Sequence, residues 1–222
     1  QFNWPAIEDV PDILQDLADV EMHAIQTSGS CIRNTTTDQF AGVSPEEIED
    51  SRPYCELIRQ WSSFHPEFAY LPRKFKIAVC GTLMDQAATQ VHDIGIYLKA
   101  GPGNKIGFQI LAGGGLGRTP MIGKEVFDFV EKHHLLTALE AILRVYNRLG
   151  RRDNKYKARI KILVKEMGID DFKNLVMQEW NQIKDGPLTL TEEEITRCKN
   201  YFLEANYEEL EDAPNILISE LN

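Results

Sequence analysis

The chain has 222 residues, 43% hydrophobic and 26% charged, enough for one large domain or two small ones whose core needs no disulfide or metal staple. Asp and Glu total 34 against 24 Lys and Arg, a net charge of −10, and that balance disfavours non-specific nucleic-acid binding. No apolar run nears the roughly 20 residues of a membrane span, no secretory signal opens the chain, and the four cysteines (Cys31, Cys55, Cys80, Cys198) lie far apart with no CxxC pair, which fits free thiols in a cytoplasmic protein with no metal site in this chain.

In chain order, residues 6–27 carry Ile13, Leu14, Leu17, Val20 and Ile25 at near-helical spacing, so an amphipathic helix of two to four turns is expected to start near Asp9 or Pro11. Ser28-Gly29-Ser30 ends it, and the β-branched stretch Cys31–Thr37 reads as a short strand. Ser44-Pro45-Glu46-Glu47 has the form of a helix start, with Ser44 as cap and Glu47 closing a capping box. A further helix is expected over Pro53–Ser63, with Leu57, Ile58 and Trp61 turned inward. Phe75–Val79, Asp93–Leu98 and Gly107–Leu111 read as strands separated by Gly- and Pro-containing loops. After Gly113-Gly114-Gly115 the pattern reads as helical: Lys124–Glu131, Leu135–Leu149, Tyr156–Met167 and Asp170–Ile183. Helices, then a strand meander, then helices imply an α+β domain with a mixed sheet covered by helices on one face. Beyond Lys184, Thr191-Glu192-Glu193-Glu194 reads as another helix start. It leads to an acidic tail with Glu204, Glu208, Glu209, Glu211 and Asp212.

Four groups carry potential chemistry. Pro72-Arg73-Lys74-Phe75-Lys76 sets three cations at the start of a strand, where Lys74 and Lys76 share a face opposite Phe75. Two neighbouring ammonium groups repel, which an anionic ligand offsets; an edge strand guarded by lysines is the alternative. Arg33-Asn34 in a short uncharged stretch offers a fork for a carboxylate or an oxyanion, or half of a surface ion pair. Gly113, Gly114 and Gly115 permit close approach of backbone to a ligand, but their spacing and Pro120 do not fit a dinucleotide fingerprint. The run Arg148, Arg151, Arg152, Lys155, Lys157, Arg159, Lys161 is either a solvated basic face or a docking patch for an acidic protein or for cofactor carboxylates. His133-His134 has no third ligand at metal spacing.

Read together, Gln1-Phe2, Cys31-Ile32-Arg33-Asn34, Tyr70-Leu71-Pro72-Arg73-Lys74-Phe75-Lys76, Gly107-Phe108, Leu111-Ala112-Gly113-Gly114-Gly115-Leu116 and Ala158-Arg159-Ile160-Lys161 form an ordered set over about residues 1–182. That set resembles the siroheme-dependent sulfite and nitrite reductases. The resemblance implies a nitrite/sulfite reductase hemoprotein-like fold and six-electron reduction of sulfite to sulfide, or of nitrite to ammonia, at siroheme. Arg33, Lys74 and Lys76 match the family's substrate cations. Arg73 and Arg159 match its contacts to siroheme carboxylates, Asn34 lies at the cofactor edge, and Gly113, Gly114 and Gly115 lie beside it. Lys76, where nitrite-specialised members tend to carry Asn, leans toward sulfite.

The family also holds a 4Fe–4S cluster with paired cysteines. No such pair is present here, so the resemblance implies cluster ligands outside this chain, and Asn3 stands where other members often have His. The chain opens on Gln1 rather than Met and reads as a fragment of a longer enzyme, inactive by itself. The expected division is 1–30 as a helical lead-in, 31–183 as the siroheme- and substrate-binding domain, and 184–222 as an acidic connector. Ferredoxin or a flavoprotein is the implied electron donor, with 148–161 as a docking stretch. A non-catalytic anion-binding domain of the same fold is the alternative from another class.

Overall fold

Alternating and continuous apolar runs with β-branched residues build the centre of the molecule. The structure, a computed structural model, describes residues 2–202. Five strands form one sheet in the order β1 (Ile32–Thr36), β2 (Phe75–Cys80), β3 (Ile94–Ala100), β4 (Ile106–Ala112), β5 (Lys124–Glu131). The first three run parallel, and β4 and β5 are antiparallel to their predecessors. The helices are α1 (Val10–Asp19), α2 (Arg52–Ser62), α3 (Leu135–Leu149), α4 (Ile160–Met167), α5 (Ile169–Ile183) and α6 (Glu192–Lys199).

The helices cover one face of the sheet through aromatic contacts. Tyr54 of α2 meets Phe108 edge-on at 4.9 Å, Phe75 lies 5.4 Å from Tyr146 of α3, and Phe127 lies 5.2 Å from Trp180 of α5. Tyr54, Phe75, Phe108 and Tyr146 are fully buried, each such ring contributing about 1.5–3 kcal/mol of burial. The opposite face is polar, with Tyr97 donating to Asp85 at 2.9 Å and Gln109 to Glu125 at 2.7 Å. The α+β architecture with one covered face follows the pattern of the sequence.

Two expected elements are corrected. Lys124–Glu131 is strand β5, not a helix. Register shifts at Phe108/Ile110 and Ile110/Leu111 insert extra residues on the β5 side, so Val126, Phe127 and Val130 are buried at i, i+1 and i+4. That spacing imitates a helical stripe, because a bulge breaks the period of two. Ser44–Glu47 forms turns rather than a helix, and Glu47 closes no capping box. It bridges Thr82, and its carboxylate accepts from the Gly42 N–H at 2.8 Å.

Two smaller differences concern the ends. Helix α4 begins at Ile160 rather than Tyr156, and α1 forms as expected but buries no residue. At Thr191 a true capping box starts α6: the Glu194 N–H donates to Thr191 Oγ1 at 3.2 Å, and Glu194 Oε2 accepts the Thr191 N–H at 2.8 Å. Within the stretch read as a connector, Leu190, Ile195 and Cys198 are buried, and Glu49 holds α6 through Lys199 at 2.6 Å while also binding Lys132 and Tyr54. The acidic residues 204–212 lie outside the described residues. Among the described residues no helix is long and apolar enough to cross a membrane.

Candidate functional site

Parallel β1, β2 and β3 start at the same end of the sheet, and antiparallel β4 finishes there, since Ile94 pairs with Ala112. The topology therefore gathers Arg33, Arg73-Lys74, Asp93 and Gly113–Gly115 at one end of the sheet, and the start of α4 adds Arg159, its N-cap, and Lys161. Ile32 pairs with Phe75 and Asn34 with Lys76, which leaves Arg33 as the extra residue of a bulge. A bulge re-aims the side chain it carries. Here Arg33 is half-buried, and its Nε donates to the Gly29 carbonyl at 2.9 Å.

Phe75 points into the core, and Lys74 and Lys76, its neighbours, are both half-buried. Burial lowers the Lys74 ammonium below its ordinary value, and Arg33, Arg159, Lys76 and Arg73 lower it further through like-charge repulsion. Those four cations therefore stand within electrostatic reach of Lys74. Among the described residues none of Arg33, Arg73, Lys74 and Lys76 forms an ion pair with a carboxylate.

Asp93, directly before β3, is the buried counter-charge. It is 0% exposed; its Oδ1 lies 2.8 Å from Arg159 Nε and 2.7 Å from Nη2, and its Oδ2 accepts the Lys76 backbone N–H at 3.0 Å. Its carbonyl accepts from the Gly113 N–H at 3.0 Å. Burial raises this carboxyl above its ordinary range and Arg159 pulls it back. Beneath the pair, the Tyr146 hydroxyl donates to the Ala158 carbonyl at 2.8 Å and fixes the chain just before Arg159. Lys161, buried against Gly115, donates to the carbonyls of Leu116 at 2.9 Å and Thr119 at 2.7 Å, clipping down the loop that carries Arg118.

Within the glycine triplet, Gly114 lies against the protein's own backbone and Gly113 and Gly115 against side chains. A Cβ on Gly114 would stand 2.3 Å from the His92 carbonyl oxygen and 2.5 Å from that of Gln90, while Gly113 has φ of +87° and lies against Val164. All three glycines are buried. Only this side-chain-free turn lets the end of β4 lie against the segment that leads to Asp93.

These elements enclose a pocket of about 500 Å³ lined by Arg73, Lys74, Arg118, Lys155, Lys157, Arg159 and Lys161, with no carboxylate in its wall. Arg33 and Asn34 line a separate cavity of about 400 Å³ with Arg52 and Arg59, Lys76 lines neither of the two, and Gly113 lines a third beside Lys161 and Val164. The basic run divides accordingly. Lys155, Lys157, Arg159 and Lys161 face the pocket. Arg151 pairs with Asp153 at 2.6 Å, and Arg152 is spent on the Tyr70 and Asn147 carbonyls. An arrangement rich in cations and poor in carboxylates binds polyanions.

Residues 28–184 match the family model described as the nitrite and sulphite reductase 4Fe-4S domain. The chain belongs to this family. It is 33% identical over 189 residues to a sulfite reductase (ferredoxin) 1 of Mycolicibacterium paratuberculosis, covering 84% of this chain and 34% of that protein. It is also 33% identical over 183 residues to the chloroplastic ferredoxin–nitrite reductase of Arabidopsis thaliana, covering 79% of this chain and 31% of that protein. The solved structure of the Mycobacterium tuberculosis NirA protein aligns with a TM-score of 0.75 at 30% identity, over 82% of this chain and 33% of that one. A dissimilatory sulfite reductase I structure shares the fold, with a TM-score of 0.61 at 13% identity. The chain spans about a third of the length of the curated relatives it matches.

The family's name invokes a 4Fe–4S cluster, and the residues described here do not fit one. The cysteines stand at the start of β1, on α2, at the end of β2 and on α6, all free, and no group of three or more His, Cys, Asp or Glu among the described residues is placed to hold a metal. The pocket does fit a carboxylate-rich tetrapyrrole edge, since its lining is cationic and, among the described residues, only Arg159, held by Asp93 from behind, has an acid partner. Asp93, Arg118 and Tyr146 are the members of the site that sequence reasoning missed. Asp93 read as the first residue of a strand, and its partner Arg159 lies 66 residues further along.

Proposed function

We propose that this chain is the central, siroheme-facing domain of a longer assimilatory sulfite reductase and does not turn over by itself. The observation that carries the reading is the pocket of seven cations with no carboxylate in its wall, at the end of the sheet where Arg33, Arg73 and Lys76 stand within electrostatic reach of Lys74. Siroheme would supply the redox-active iron at which the oxyanion is reduced. Arg73, Arg159 and the pocket lysines would hold its carboxylates by charge-assisted hydrogen bonds. Asn34, exposed beside Arg33, reaches its edge, while the buried glycines support the site from beneath.

Arg33, Lys74 and Lys76 bind the anion and stabilise its charge. Lys74, whose ammonium is weakened by burial and by its cationic neighbours, gives up a proton to a departing oxygen more readily than an ordinary lysine. The cluster and the electron donor belong to the rest of the assembly. The relatives named for ferredoxin support a ferredoxin donor, a flavoprotein being the other candidate.

Nitrite reduction is the second reading, supported by equal identity to the plant nitrite reductase; Lys76 favours sulfite, because an ammonium suits the more highly charged oxyanion. Side-by-side turnover of sulfite and nitrite by the full-length protein tests the choice. The expected result is a higher kcat/KM for sulfite, with Lys76→Asn moving the ratio toward nitrite by roughly tenfold, the effect of one charge-assisted contact. A wild-type preference for nitrite, or a ratio unmoved by the substitution, contradicts the assignment.

A further inference from the structure

Asp93 is a negative group placed inside a field of positive ones, and its contacts are specific. One oxygen faces the Nε–Nη2 edge of Arg159, the other accepts the backbone N–H of Lys76, and its own carbonyl holds Gly113. No described residue accepts from Arg159 Nη1, so the guanidinium keeps donors for a ligand while one edge is fixed. Without this carboxylate, repulsion from Lys74 and Lys161 drives Arg159, one-fifth exposed, out toward solvent.

We propose that Asp93 is a positioning residue that turns the Arg159 guanidinium toward the pocket and, through the Lys76 N–H, fixes the start of β2 beside it. The inference rests on the reading that the pocket holds the carboxylates of siroheme. An Asn at this position offers one acceptor where two donors arrive, so either Arg159 or the Lys76 N–H faces an amide NH2. The site then loses orientation rather than charge count in its cationic wall.

The test is a double-mutant cycle in the full-length holoenzyme, with Asp93→Asn, Arg159→Gln and the two combined. The readouts are siroheme content per protein from the visible spectrum, and KM and kcat for sulfite. D93N alone is expected to lower siroheme content and raise KM roughly fivefold, the scale of coupled neighbours. In the R159Q background the same substitution is expected to add less than about twofold. Equal fold-losses in both backgrounds, or no loss from D93N, overturn the positioning role, because a purely structural residue acts regardless of Arg159.

If D93N yields no folded protein, Arg159→Lys carries the test. It keeps the charge but loses the two-point contact, and is expected to lose siroheme as R159Q does; full retention overturns the proposal. Loss of siroheme in Arg73→Gln/Lys74→Gln alongside an additive cycle leaves the functional reading standing and removes only Asp93. Wild-type protein that binds no siroheme overturns both.

Discussion

Gly114→Ala tests how the site is built without touching any cation. Its Cβ would stand 2.3 Å from the His92 carbonyl oxygen, 2.5 Å from that of Gln90 and 3.1 Å from the His92 nitrogen. All three are backbone atoms, so no rotamer change relieves the clash, and the segment leading to Asp93 must move away from the end of β4. Overpacking against fixed neighbours costs about 1–3 kcal/mol. A domain of this size loses roughly 2–4 °C of melting temperature per kcal/mol, so the midpoint is expected to fall by about 2–12 °C. Because Asp93 is the residue after His92, Arg159 loses its registered partner as well, and siroheme content should fall even at temperatures where the variant is fully folded. Thermal unfolding by circular dichroism and the siroheme-to-protein absorbance ratio measure the two effects. A variant with wild-type melting and wild-type siroheme content refutes the argument, since it means that the turn tolerates a side chain at its tightest contact.

Tyr146→Phe removes the hydroxyl that satisfies the buried Ala158 carbonyl. Leaving that acceptor alone is expected to lower unfolding free energy by about 1–3 kcal/mol, read by urea titration; an unchanged midpoint refutes the anchor. Lys74 supplies a pH effect. Burial and the surrounding cations hold its ammonium below the ordinary lysine value, so the pocket loses a charge earlier on the alkaline side, and the upper limb of the kcat/KM profile for sulfite reflects it. Lys74→Arg, which stays charged, should move that limb upward; a limb that stays in place assigns it elsewhere. By linkage, the unfolded chain holds this proton more tightly, so the stability contribution of Lys74 rises with pH from its folded value to the ordinary one.

The covered sheet and the cations at the start of β2 were legible because each rests on local pattern: alternation, turn residues, and three cations in four positions; strand direction was not, since the meander expected from the sequence is parallel over β1, β2 and β3. Helices α2, α3 and α5 were legible for the same reason, through continuous apolar stripes. Strand β5 was not, because its bulges place Val126, Phe127 and Val130 at helical spacing; the β-branched and aromatic content of 126–130 was the available counter-signal. The bulge at Arg33 and the Asp93–Arg159 pair were hidden for another reason. Both are properties of strand register and of contacts between distant segments, which no window of sequence contains. The glycine triplet was visible as a place of close approach, but a sequence cannot say that what approaches is the chain's own Gln90–His92 backbone.

The central claim is that the cations at this end of the sheet hold a carboxylate-rich tetrapyrrole and the anion bound to it. The visible spectrum of the full-length protein, purified anaerobically with siroheme available and recorded before and after sulfite and then nitrite, tests it most directly. The expected result is a siroheme spectrum in the wild type that sulfite perturbs, and its loss in Arg73→Gln/Lys74→Gln at unchanged fold. A colourless wild type, or a double variant that keeps full siroheme and the same sulfite response, contradicts the claim.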